Sequence, residues 1–207
     1  VAVAAGINKV RITGGEPFLF KGISTVLETL NDIGCYTHVN SNGSCLKRHE
    51  SLLRNLGSNI HFAISLDSTD RENFDTISKT TGYYDATMDG INLIASLGRL
   101  LRLNMVVTRY NYHEIDSMIE FCRSKGCNLK LLDVVSVPLP FGDRQDLHVS
   151  FREVEERLAA VADRIEFHEY ARAFGTPCRI YHVDGVAVTV KSTWNGSRYD
   201  LDGICKG

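Results

Sequence analysis

Long apolar runs are missing from this sequence. None reaches the ~18–20 residues that a membrane-spanning helix needs, so a membrane partner is not expected. Charge of one sign is missing too. The 23 lysines and arginines stand against 25 aspartates and glutamates, a net charge of −2, which argues against a broad electrostatic surface for nucleic acid. There is no internal repeat beyond an alternation of strand and helix, and no low-complexity tract. The six cysteines, Cys35, Cys45, Cys122, Cys127, Cys178 and Cys205, follow no disulfide framework, as expected in a reduced, cytoplasmic compartment. No signal peptide is recognisable. Val1 at the start, the opening 1–6 reading as the end of a helix, and a C-terminus that stops mid-motif at Gly207 are what an internal fragment of a longer protein would present. What is present is ordinary globular composition, 43% hydrophobic and 23% charged. A 207-residue chain buries roughly 70% of its unfolded surface. That suits one large domain, alone or with a small extension.

Hydrophobic periodicity predicts strands near 8–13, 35–40, 60–66, 101–107 and 128–135, with amphipathic helices near 22–33, 46–56, 71–80, 86–97 and 112–125. Ile23, Val26, Leu27, Leu30 and Ile33 recur at helical spacing. So do Ile115, Met118, Ile119 and Cys122. Gly34, Gly57, Gly98 and Gly126 follow four of the helices as C-terminal caps would. Five such units with short connections imply an α/β fold with a mainly parallel sheet and right-handed crossovers. Either an open doubly wound sheet or a barrel satisfies the pattern. Polar residues at the end of every strand suit a barrel mouth.

After Pro138-Leu139-Pro140-Phe141-Gly142-Asp143 the character changes. A charged helix is expected near 150–163. Two alternating runs, Cys178–Val183 and Val186–Lys191, follow, joined by Asp184-Gly185, a strong hairpin signal. The reading is a domain over 1–143 and the start of a small, truncated α+β extension over 144–207.

The densest motif is Lys9-Val10-Arg11-Ile12-Thr13-Gly14-Gly15-Glu16-Pro17. Val10 and Ile12 alternate as in a strand. Gly14 and Gly15 allow a sharp turn that presents backbone N–H and C=O groups to a ligand. Glu16 offers an acceptor for a cationic amine, and Pro17 stiffens the exit. Lys9, Arg11 and Thr13 alternate on the other face, two cations and a hydroxyl that would suit a triphosphate. Later strand ends carry Asn40-Ser41-Asn42-Gly43 and Ser65-Leu66-Asp67, where Asp67 is expected to cap the next helix. Arg102 and Asn104 share one face of their strand, and two polar groups on an inner face need partners or a ligand.

A GGEP loop after a strand resembles the S-adenosylmethionine (SAM) loop of radical SAM enzymes. The string KVRITGGEP is most similar to the GTP 3',8-cyclase family of molybdenum cofactor synthesis. The resemblance covers 8–135 strongly and the rest loosely. It implies a partial TIM-type (βα)6 barrel, here without its first strand. It implies that Gly14, Gly15, Glu16, Pro17, Asn42, Ser65 and Asn104 hold SAM. Lys9, Arg11, Thr13, Asn40, Arg102 and Lys130 would hold an anionic small-molecule substrate, GTP in that family. Phe74, Ile77, Tyr84, Asp85, Gly90 and Ile91 follow the family pattern as packing. The implied chemistry is reductive cleavage of SAM on a [4Fe–4S] cluster to a 5'-deoxyadenosyl radical, which would abstract the ribose 3' hydrogen of GTP. An electron-donor protein and a second copy of the chain are the implied protein partners. The cluster's C-x3-C-x2-C triplet does not occur in these residues. Cys205, in Asp202-Gly203-Ile204-Cys205-Lys206-Gly207, matches the start of the family's auxiliary-cluster motif. The chain departs from the family at Asn40 and Ser41 (both threonine), Arg102 (lysine), Lys130 (arginine), Asp133 (glutamate) and Val135 (methionine). These departures leave open another auxiliary-cluster radical SAM enzyme, such as a peptide maturase. A cluster-free nucleotide-binding barrel is a further alternative.

Overall fold

A computed structural model describes residues 6–134, 147–168 and 178–191. The expectations for 1–5, Val135, Pro138 to Asp143 and Cys205 lie outside the described residues.

The strands are β1 Lys9–Ile12, β2 Tyr36–Ser41, β3 Ile60–Ser65, β4 Leu100–Val106 and β5 Asn128–Leu132. Between them run α1 Ile23–Asp32, α2 Glu50–Asn55, α3 Arg71–Ser78, α4 Tyr84–Ser96 and α5 Ile115–Lys125. All four pairings among β1 to β5 are parallel and in sequential order. This is the ladder that repeated βα units build. The sheet does not close, as expected of a partial TIM-type barrel.

The later segment adds α6 Phe151–Val161, β6 Arg164–His168, β7 Cys178–Val183 and β8 Val186–Lys191. The Asp184-Gly185 turn has positive φ at both residues, 48° and 82°, the geometry of a tight hairpin. Strand β8 pairs in parallel with β5, so the hairpin continues the same sheet in the order β1-β2-β3-β4-β5-β8-β7-β6. Strand β6 is absent from the periodicity reading. Its apolar Ile165 and Phe167 are 50% and 43% exposed on the outer edge, so charged neighbours dominate its pattern.

Period-2 alternation divides the strands into two faces. Val39, Phe62, Ile64, Leu103, Met105, Leu129 and Leu131 are all fully buried on the face that carries the helices. There they meet Leu27, Leu53, Ile91, Ile94, Ile115 and Met118. Truncating one such side chain to alanine removes about 2–5 kcal/mol. The helix pattern holds less strictly in α1, where Ile23 and Leu27 are buried but Val26 and Ile33 are 37% and 47% exposed.

Three of the four glycine caps are observed. Gly34, Gly98 and Gly126 have φ near +65°, the left-handed conformation a helix C-terminus favours. Gly57 does not. Its N–H donates to Asn31 Oδ1 at 2.5 Å, and Leu56 ends α2 in extended conformation. Asp67 is likewise not a helix cap. Asp70 caps α3 by accepting from Asn73 N at 2.9 Å. Asp67 instead accepts from Val106 N at 2.8 Å, tying the end of β3 to the end of β4. Burial holds its pKa above the ordinary carboxylate value despite that bond.

Helix α4 meets the loop after β2 at backbone contact. A Cβ at Gly90 would land on the Gly43 carbonyl oxygen, and Thr87 Oγ1 donates to Asn42 O at 3.2 Å. Alanine has the higher helix propensity by ~1 kcal/mol, but a clash with backbone rather than a flexible side chain outweighs that. Overpacking of this kind removes ~1–3 kcal/mol and more in tight cases. Gly90→Ala is therefore expected to destabilise the chain by ~2 kcal/mol net and to lower its melting temperature by ~4–8 °C. A thermal melt with an unchanged midpoint would refute the close approach.

Candidate functional site

The strand C-termini meet at one end of the sheet, and Glu16 joins two of their loops. Its Oε1 accepts from Phe18 N at 3.1 Å and from Ser41 Oγ at 2.8 Å, and its Oε2 accepts from Asn42 N at 2.7 Å. An ionised carboxylate has about four lone-pair positions, so one remains for a cationic ligand. Ser41 Oγ in turn accepts from Gly43 N at 3.0 Å, and Asn42 Oδ1 accepts from Ser44 N and Ser44 Oγ. Pro17 starts the short 3-10 helix Pro17–Leu19 that Glu16 caps. Gly14 has φ +148°, a value side chains rarely adopt, and a Cβ at Gly14 or Gly15 would meet nothing within 4 Å. The loop backbone is thus uncovered.

Two further locks hold the mouth. Asn111 Nδ2 donates to Asp67 O at 2.8 Å and to Val106 O at 2.9 Å. The buried carboxylate of Glu114 accepts from Ser68 Oγ, Thr69 N and Asn73 Nδ2. Neither role was visible in the motif reading, because apart from Val106 every partner is distant in sequence. Of the residues expected to pack, Phe74 and Tyr84 meet edge to face at 5.5 Å and Ile91 is fully buried, whereas Asp85 is exposed and pairs with Arg71 at the surface.

The face of the sheet opposite the helices carries the other candidates. In register, Arg11 lies opposite His38, and His38 opposite His61. Asn40 lies opposite Ala63, and Ala63 opposite Arg102. Ser65 lies opposite Asn104, Asn104 opposite Lys130, and Lys130 opposite Thr189 of β8. Arg102 Nε donates to Asn104 Oδ1 at 3.1 Å. Arg11, Arg102 and Lys130 lie close enough to act on one another electrostatically. Burial and then Arg11 lower the Arg102 pKa. Burial, followed by Arg102, Lys191 and Arg11, lowers Lys130 to about 8. Among the described residues neither Arg102 nor Lys130 has a carboxylate partner. Lys9 is exposed at the far, N-terminal end of β1, and Thr13 is exposed just beyond that strand. Neither is drawn into the cluster. Lys191, from the C-terminal hairpin, is drawn in and was not among the candidates; its alternation with Thr189 on β8 was the available signal.

The five described cysteines are all free and buried. Burial raises the Cys178 thiol pKa, against the charges of Lys130 and Lys191. No group of three or more histidines, cysteines or acids able to hold a metal lies among the described residues. Among them, no helix is long and apolar enough to cross a membrane.

The state of Lys130 gives a pH dependence. Its folded pKa is lowered to about 8, so its charge is full at pH 7 and mostly gone at pH 9. An anion bound by the ammonium form sees only that fraction of the protein. Affinity for tripolyphosphate is expected to fall ~10-fold between pH 7 and pH 9. A flat profile in a binding titration would remove Lys130 from the site.

The family model described as the Radical SAM superfamily matches residues 1–122. A probable GTP 3',8-cyclase of Methanothermobacter thermautotrophicus is 29% identical over 203 residues, which are 96% of this chain and 65% of that protein. A GTP 3',8-cyclase of Marinobacter nauticus is 31% identical over 194 residues, 91% of this chain and 57% of that one. The chain therefore spans somewhat over half the length of these curated relatives. Among solved structures, Streptococcus suis SuiB bound to S-adenosylmethionine superposes with a TM-score of 0.59 at 18% identity, covering 73% of this chain and 36% of SuiB.

Proposed function

This chain belongs to the radical SAM superfamily, and we propose that it forms the greater part of the barrel of a GTP 3',8-cyclase-like enzyme of molybdenum cofactor synthesis. The observation that carries the reading is the convergence of Arg11, Arg102 and Lys130 on the inner face of the sheet, near the uncovered Gly14-Gly15 loop. The loop and Glu16 would hold the methionine end of SAM, with Ser65, Asn42 and Asn104 at the neighbouring strand ends. When bound, SAM and a [4Fe–4S] cluster supply a 5'-deoxyadenosyl radical by reductive cleavage. The residues of this chain bind, orient and shield. Glu16 fixes the loops, Arg102 and Lys130 neutralise the phosphates with Arg11, and Asn40 faces the substrate.

The cysteine triplet is absent from these 207 residues, so no residue here is assigned to the SAM cluster. Cys205 is assigned to an auxiliary cluster, and the domain boundary to 143/144. A reducing, cytoplasmic compartment, an electron-donor protein and a homodimer complete the reading.

The departures at Asn40, Lys130 and Val135 favour a second reading, a peptide-modifying radical SAM enzyme with an auxiliary cluster. The test is anaerobic: the protein expressed from its complete coding sequence, reconstituted with iron and sulfide, is given SAM, reductant and GTP. GTP-dependent 5'-deoxyadenosine and a cyclised nucleotide are expected. Cleavage of SAM that GTP does not stimulate would favour the peptide reading.

A further inference from the structure

His38 lies on β2 in the middle of the cation-lined face. It is only 6% exposed, and its Nε2 is buried with no hydrogen-bond partner among the described residues. A buried polar nitrogen left unpaired is unfavourable, so an orphan in the interior calls for an explanation. Its surroundings supply one. Arg11 from β1, His61 from β3, Arg102 from β4 and Lys130 from β5 all act on the ring. The side chain two residues on, Asn40, also has a buried oxygen, Oδ1, with no hydrogen-bond partner among the described residues. Orphaned groups beside Arg102 and Lys130, two half-buried cations without a carboxylate partner among the described residues, form a site that an anion would complete. Arg11, Arg102 and Lys130 come from β1, β4 and β5, in a sheet whose strands are spaced about 4.8 Å apart, a span that a single orthophosphate does not bridge and a chain of phosphoryl groups does.

We propose that His38 is a contact residue for a polyphosphate group, its Nε2 hydrogen-bonding an oxygen of the same phosphate chain that Arg102 and Lys130 hold. This rests on the reading of the inner face as the site of a phosphorylated substrate, and it adds a residue outside the motifs that suggested that reading. Burial and the surrounding positive charges hold the free ring neutral, with a pKa near 3. In the free protein the ring thus adds no further charge to the cluster, and the tautomer protonated at Nε2 can donate to phosphate.

The experiment measures binding of GTP, inorganic tripolyphosphate and guanosine by calorimetry. It uses the protein from its complete coding sequence and its His38→Leu and His38→Gln variants. His38→Leu is expected to bind GTP and tripolyphosphate at least ~10-fold more weakly and guanosine unchanged. Its melting temperature without ligand should be equal or higher, because an orphaned nitrogen is removed. His38→Gln, whose amide can donate, should recover part of the loss. In the wild type, the imidazole ¹⁵N resonance of His38 should move on adding tripolyphosphate. Wild-type affinity in His38→Leu would overturn the proposal and leave the phosphate site standing. So would a ¹⁵N resonance that stays put while tripolyphosphate binds. A lower melting temperature with undiminished affinity would assign the ring to packing instead. A wild type that binds neither GTP nor tripolyphosphate would overturn both this proposal and the reading beneath it.

Discussion

Replacing Glu16 with alanine is expected to lower SAM cleavage by the complete enzyme at least ~100-fold while leaving the chain folded. The carboxylate accepts from Phe18 N, Ser41 Oγ and Asn42 N, so its loss uncouples the GG loop from the loop after β2. Those two loops would hold SAM, and a misplacement of about 1 Å at a reacting centre can lower the rate ~100-fold. The loss of stability is smaller. A lost helix cap removes ~1 kcal/mol, and the two partly solvated bonds to the β2 loop bring the total to ~2–3 kcal/mol, within the ~5–15 kcal/mol of an ordinary domain. Glu16→Gln should fall between: its carbonyl oxygen can replace Oε1, but its amide would face the Asn42 N–H, donor against donor. The check is SAM affinity and 5'-deoxyadenosine formation beside a melting curve. Alanine and glutamine variants that cleave SAM at the wild-type rate would remove Glu16 from the site.

What the sequence made legible was local. Strands and helices emerged from periods of 2 and 3.6, and the Asp184-Gly185 hairpin from two residues. The GG loop was readable because a strand, two glycines and a proline are consecutive. The rest depended on partners distant in sequence. Glu16 reads as a ligand group until Ser41 and Asn42 are brought to it. Glu114 reads as part of a helix start until Ser68 and Asn73 converge on it. Asp67 reads as a helix cap until the chain path brings it to Val106 N and leaves the cap to Asp70. Gly90 gives no sign in sequence of the carbonyl oxygen above it. The inner-face cluster lies between: alternation placed Arg11 with Lys9 and Thr13 on one face of its strand and Arg102 with Asn104 on one face of theirs, Lys130 entered only through the family resemblance, and alternation applied to β2 would have placed His38 with Asn40. What alternation does not report is which strand follows β5, so Lys191 joined the cluster only once β8 was found beside it.

Arg102→Ala is the substitution expected to separate binding from stability most widely. Arg102 is half-buried and lacks a carboxylate partner among the described residues, and its positive charge is disfavoured by burial and by Arg11. In the free protein it is an unfavourable group, relieved in part by its bond to Asn104. Removing it should leave the melting temperature unchanged or higher. Against a polyphosphate the balance reverses. A guanidinium makes charge-assisted, often bidentate bonds to phosphate, worth roughly 1.5–3 kcal/mol each. Loss of such a pair should weaken GTP binding ~100-fold or more. Arg102→Lys keeps the charge but not the fork, and should lose less. A second readout follows from the surrounding charges. Among the neighbouring charges, Arg102 is the strongest lowering the pKa of both His38 and Lys130, so its removal raises both. The alkaline decline of residual anion binding, centred near pH 8 in the wild type, should move upward in Arg102→Ala. A variant that binds GTP normally but melts earlier would make Arg102 a packing residue. One that binds weakly with the decline still near pH 8 would separate Arg102 from Lys130 and dissolve the single site that the four strands build.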